Sequence, residues 1–165
     1  MFSIKSSKSD QIHIIRDLAS KIWKETYKEI LSKEQLDYMF DMMYSEESLK
    51  RQIVEEKQVF LIAEADGVPV GYISIEPREE HVFVFQKVYA VAEMHGKGLG
   101  RFMIEKAIEY LKSIQQTTFK VELFVNRENP AVGFYKHLGF KDIATRDHHI
   151  GNGYYMNDYI MQISV

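Results

Sequence analysis

The stretch Val88-Tyr89-Ala90-Val91-Ala92-Glu93-Met94-His95-Gly96-Lys97-Gly98-Leu99-Gly100-Arg101 constrains the fold more than any other part of this chain. A run rich in β-branched and aromatic residues ends, three glycines follow in alternate positions, and Leu99 to Ile114 then shows apolar Ile104, Ala107, Ile108, Leu111 and Ile114 at helical spacing. A strand, a glycine turn and a helix in that order leave backbone N–H groups at the helix start with no intrahelical acceptor. Such a site binds a phosphate or pyrophosphate. A dinucleotide fold would need Gly-x-Gly-x-x-Gly after a first strand, but here the third glycine comes one residue early and position 101 is arginine. A nucleotide-triphosphate loop would end in Gly-Lys-Ser/Thr, which is absent. Both NAD and ATP are therefore disfavoured.

The elements around this segment read as one domain, residues 1–165, a size that suits one domain better than two. Hydrophobic residues at 45% and charged residues at 27% suit a packed globule. Leu18 and Ile22 follow Ile14 and Ile15 on one helix face, with Ser9-Asp10 as its cap; Ser32 to Gln35 forms a capping-box pattern before Leu36, Met39, Phe40 and Met43; a third helix starts at Ser45. From Gln58 the period changes. Val59 to Ala63 and Val70 to Ile75 flank the Asp66-Gly67 turn as a hairpin, and Val82 to Val91 is a third strand. Phe119 to Val125 is a strand, Pro130 to Leu138 a short helix stopped by Gly139, and Lys141 to Thr145 and Tyr154 to Val165 are strands around a His- and Gly-containing loop. The sequence thus divides into 1–57 helices, a 58–128 core, and a 129–165 helix with C-terminal strands.

A net charge of −3 disfavours nucleic acid as the main partner. With no cysteine there is no disulfide framework, thiolate metal site or cysteine nucleophile. No apolar run approaches the length of a membrane span and no N-terminal apolar segment is present, so the expected location is cytoplasmic, away from membranes.

His95-x-x-Gly98-x-Gly100 resembles the Gln/Arg-x-x-Gly-x-Gly/Ala signature of the GCN5-related N-acetyltransferase (GNAT) superfamily, with histidine in place of the usual Gln or Arg. Asn129-Pro130-Ala131-Val132-Gly133-Phe134-Tyr135-Lys136-His137-Leu138-Gly139-Phe140 is similar to that family's downstream element. The resemblance implies an α/β (α+β) fold: a mostly antiparallel sheet of six to seven strands, splayed at one parallel pair, with helices on both faces. It implies acetyl-CoA as co-substrate and no metal. The amides of His95, Gly96, Lys97, Gly98, Leu99, Gly100 and Arg101 would hold the pyrophosphate, with Asn126 and Asn129 also on the cofactor side. The pantetheine would lie beside Tyr89, Ala90 and Val91, whose backbone would meet the oxyanion, and Tyr135 would be the general acid. Lys97 and Arg101 suit phosphate charge and equally suit a plain helix start.

Direct attack by an amine needs no cysteine, but the amine must lose a proton. Glu76, which alternates with Tyr72 and Ser74 along one strand, is the first choice of base; Glu79, Glu80, His81, His148 and His149 are the others. Asp147-His148-His149 lacks the companions of a metal site and reads as a structural or acceptor-lining loop, with His149 placed toward the acceptor. Trp23 and Tyr27, one helical turn apart, pack the helices on the sheet or wall the acceptor pocket. Their spacing and the tail ending Asp158-Tyr159-Ile160-Met161 look most similar to bacterial small-molecule and polyamine acetyltransferases, with Glu25, Glu29, Asp37 and Asp41 available to a cationic acceptor. The expected activity is acetyl transfer to a primary amine of a small molecule. The rivals are acetylation of a protein or peptide and an acyl-CoA sensor without turnover. Edge strands near the tail fit a homodimer.

Overall fold

The computed structural model describes residues 1–7 and 11–165. The cap expected at Ser9-Asp10 lies outside them. In chain order the elements are β1 (Phe2–Ser7), α1 (Ile12–Tyr27), α2 (Lys33–Tyr44), α3 (Glu46–Val54), β2 (Val59–Ala65), β3 (Val68–Glu79), β4 (Val82–Ala90), a short 3-10 turn at Ala92–Met94, α4 (Leu99–Ile114), β5 (Lys120–Asn126), α5 (Ala131–His137), β6 (Lys141–Gly151) and β7 (Tyr154–Ser164).

The strands form one seven-stranded sheet in the order β1-β2-β3-β4-β5-β7-β6. Only β4 and β5 run parallel, and their pairing stops at Phe85↔Leu123. Beyond that point β4 stays on β3 as far as Ala90↔Gly71, and β5 stays on β7 as far as Asn126↔Asp158. The two middle strands therefore part like a V. The cause lies in the β3–β4 ladder: Ile75 faces Phe85 but the next residue, Ser74, faces Lys87, so Gln86 is one residue extra in β4. Such a bulge bends its strand and reverses the alternation of side chains. Phe85 accordingly joins the core under α4, whereas Lys87 reaches the rings of Tyr44 and Phe60 on the side of α1–α3.

One core gathers α1, α2 and α3 over Phe60, Ile62 and Tyr72. The other sets Ile104, Ala107 and Leu111 of α4 against Leu61, Ile73, Phe85 and Leu123, with Tyr135 and Phe140 at its end. The helix approaches closely because Gly71 has no side chain: a Cβ there would lie 2.8 Å from the Tyr89 carbonyl oxygen and 3.0 Å from Met103 Sδ. Ser32 Oγ accepts from the Gln35 N–H, half of the expected capping box; the Gln35 side chain instead donates to the Tyr155 carbonyl.

The tail differs from its sequence reading. Residues 146–151 are not a loop, because β6 runs through to Gly151 and turns at Asn152-Gly153, both with positive φ. That pair is the two-residue hairpin turn whose backbone twist matches the flanking strands. Among the described residues no helix is long and apolar enough to cross a membrane.

Candidate active site

The β4–α4 junction supplies loose amides. The N–H groups of Met94, His95 and Lys97 are used within the turn, donating to Val91, Ala92 and Met94 carbonyls at 3.0–3.2 Å. Gly96 (φ +78°) and Gly98 (φ +85°) adopt the left-handed conformation that glycine tolerates, and α4 starts at Leu99 with its first-turn amides facing out of the helix end. The amides left free to meet an anion are those of Gly96, Gly98 and the α4 start. His95 and Lys97 give their amides to the turn.

A cavity of about 850 Å³ opens over these amides. Tyr89 to Val91 and His95 to Arg101 border it, with the exception of Lys97. Asn129 and Tyr135 border it from the other side. Asn129 Oδ1 accepts from the Ala131 N–H at 2.9 Å and so caps α5, which holds Tyr135 beside the gap between β4 and β5. Burial pushes the Tyr135 phenol well above its ordinary value, so it holds its proton at all working pH values. Asn126 lies elsewhere: it accepts from the Glu128 N–H and borders a second cavity.

That second cavity, about 420 Å³, lies on the α1–α3 side of the gap. Tyr89 borders both, and a crevice of about 140 Å³ between the parted strands, lined by Tyr27, Tyr89, Phe124 and Tyr135, shares walls with each. Trp23 and Tyr27 form part of its wall. Trp23, 2% exposed, donates from Nε1 to the Tyr44 hydroxyl at 3.0 Å; Tyr44 in turn meets the Tyr72 hydroxyl at 2.7 Å. The Tyr27 and Tyr89 hydroxyls are also 2.7 Å apart, and burial pushes Tyr27 up to about 12.

Other expected residues fall differently. Glu76 stays on the same strand face as Tyr72, but its carboxylate accepts from Gln86 at 2.7 Å and Arg78 at 3.2 Å, and it does not border the cavity. It orients two side chains that do. His149 is not on the border of that cavity, although its ring packs 4.9 Å from Tyr155, which is, while His148 lines the cavity directly. Asp37 and Asp41 are exposed acids on α2, Glu29 is an exposed acid in the turn after α1, and Glu25 pairs with Lys28 at 2.8 Å; none borders the second cavity.

Lys87 was not singled out by sequence reasoning. It is 6% exposed, borders the acceptor-side cavity and donates to Gln52 Oε1 at 2.5 Å and Gln58 Oε1 at 3.4 Å. Burial lowers its ammonium to about 8, against the partly offsetting pull of Glu56 and Glu76. Between about pH 8 and 10.5 the unfolded chain then binds more protons than the folded one, so stability rises with pH across that window. Compared with Lys87→Met, which carries no charge, the wild type should gain about 3 kcal/mol from pH 8 to pH 10.5. Paired denaturant titrations at several pH values read this, and parallel curves for the two proteins would refute it.

A profile of the Acetyltransferase (GNAT) domain matches residues 25–162. The chain belongs to this family of acetyltransferases, which use acetyl-CoA. A spermidine N(1)-acetyltransferase of Thermoplasma acidophilum is 27% identical over 144 residues, 84% of this chain and 87% of that protein. An uncharacterised N-acetyltransferase of Methanocaldococcus jannaschii is 37% identical over 92 residues, but these span only 39% of its length. The PaiA N-acetyltransferase of T. acidophilum in complex with coenzyme A superposes with a TM-score of 0.82 at 24% identity, covering 100% of this chain and 99% of that one. That last likeness is one of fold. The residues fit the co-substrate: free amides at a helix start suit its pyrophosphate, and the unpaired lengths of β4 and β5 suit the amide groups of its arm.

Proposed function

We propose that this protein moves the acetyl group of acetyl-CoA directly onto a primary amine of a small molecule, in the cytoplasm. The observation that carries this reading is the meeting of two cavities at one gap, with Tyr89 and Tyr135 at the junction. Bound acetyl-CoA supplies an activated thioester whose carbonyl an amine can attack. Tyr135 holds a proton at the place where the sulfur departs, and the backbone of Tyr89 to Val91 offers N–H groups to the carbonyl oxygen. The Val91 amide is spent on the Val70 carbonyl at 2.9 Å, and Tyr89, two residues back in the same ladder, turns its N–H toward β3 likewise, which leaves that task to the Ala90 N–H.

The acceptor-side cavity is walled by residues of α1, α2, α3, β3, β4, β5, β6 and β7. A peptide acceptor would need a groove open along its length, so the enclosure favours a small molecule. Spermidine deserves inclusion in any acceptor panel because the T. acidophilum relative bears its name.

A thermal-shift comparison of acetyl-CoA, CoA, ATP and NAD tests the cofactor side without knowledge of the acceptor. At about 100 times Kd a ligand adds roughly 2.7 kcal/mol, several degrees for a domain of this size. We expect a shift with the two CoA species alone. A shift with ATP or NAD instead, or with none of the four, would overturn the assignment of the glycine loop.

A further inference from the structure

The acceptor-side cavity has an unusual charge inventory for a pocket expected to take a polyamine. Arg51, Arg78, Lys87 and Arg146 line it, against the carboxylates of Glu56 and Asp158. Each arginine has its own anion: Arg51 Nε lies 3.3 Å from Glu56, Arg78 lies 3.2 Å from Glu76, and Arg146 Nε lies 3.2 Å from Asp158. Lys87 has none. Its named partners are the neutral amide oxygens of Gln52 and Gln58, and the aromatic rings of Phe60 and Tyr44 at 5.3 and 5.7 Å. Across the ladder from it, Ser74 Oγ is buried without a hydrogen-bond partner among the described residues.

A buried cation is costly unless a counter-charge meets it. Desolvation lowers Lys87 to about 8 even against the pull of Glu56 and Glu76, whose carboxylates are paired with Arg51 and Arg78 and make no ion pair with it. A polyamine would bring further ammonium groups into a wall whose carboxylates are occupied. An anion would instead complete the set. We propose that the acceptor is an amine that also carries an anionic group, a carboxylate or a phosphate, which seats on Lys87 while the amine faces the β4–β5 gap. Lys87 and Tyr89 are two residues apart on β4, about 7 Å at the usual strand rise, which sets the scale of separation between the acceptor's two ends. This assignment rests on the acetyltransferase reading above and names the class of its acceptor.

The test is thiol release from acetyl-CoA by matched amines: 4-aminobutyrate against butylamine, phosphoethanolamine against ethanolamine, and spermidine. The anionic member of at least one pair should exceed its neutral partner at least tenfold in kcat/KM, with spermidine below it; which pair responds tells carboxylate from phosphate. Lys87→Gln should cut that ratio at least tenfold while acetyl-CoA affinity, measured by calorimetry, is kept. Gln52→Glu is a second, nearly isosteric variant that places a carboxylate on Lys87 and should cut the same ratio even if Lys87→Gln folds poorly. Equal rates within both pairs, or spermidine as the best acceptor, would overturn the proposal and leave the acetyltransferase reading standing. No thiol release by any amine, despite acetyl-CoA binding, would overturn both.

Discussion

Tyr135→Phe lowers kcat by about 10²-fold or more and leaves acetyl-CoA affinity within a few-fold of the wild type. The range follows from what a positioned general acid contributes. The substitution removes one oxygen and keeps the ring, which meets Phe140 edge-on at 5.9 Å and Phe134 at 5.3 Å, so α5 has no reason to shift. Burial raises the phenol and keeps it protonated, and the same desolvation makes a departing thiolate more basic, which offsets part of the mismatch that burial of the phenol opens. No alkaline loss of activity should therefore trace to Tyr135. Rapid-quench or steady-state rates with any accepted amine decide the matter, and an unchanged kcat would remove Tyr135 as the acid.

Trp23→Ala should destabilise the fold by about 3–5 kcal/mol, the range for truncating a fully buried large aromatic. For a domain of this length that is a drop of roughly 6–20 °C in Tm. The indole is 2% exposed and contacts the rings of Tyr27, Tyr44 and Tyr89 at 4.7–5.5 Å between centroids. Its loss also takes the N–H donor from the Tyr44 hydroxyl. Trp23→Phe, which keeps most of the volume, should cost less than half as much. A Tm for Trp23→Ala within 2 °C of the wild type would show that the aromatic wall is not part of the core.

The glycine loop and the α5 motif were legible in the sequence because their chemistry is local: a positive φ favours glycine, and a cap needs a short polar side chain next to the helix it serves. The strand order could be read only through family resemblance, since pairing is set by residues far apart in the chain. The tail hairpin was legible at Asn152-Gly153 and passed over in favour of the neighbouring histidines. That reading put His149 on the acceptor side, whereas His148 lines the cavity and His149 stands one contact away, against Tyr155. Lys87 was hidden for a different reason. Phe83, Phe85, Lys87 and Tyr89 alternate without a break in the sequence, so nothing in the pattern shows that the first pair and the second pair face opposite sides of the sheet. The partners of Glu76, Gln86 and Arg78, could not be read from the sequence because they come close only through the folded ladder.

Gln86, the extra residue of β4, decides which face every later residue of the strand shows. Were it to pair with Ser74 in an unbroken ladder, each residue after it would exchange faces, turning Lys87 and Tyr89 away from the acceptor and Val88 toward it. The same slip would remove the bend that parts β4 from β5. Point substitutions along this strand can alter which acceptor is preferred one side chain at a time, whereas a one-residue slip of its register would cost the preference, the junction and the opening together.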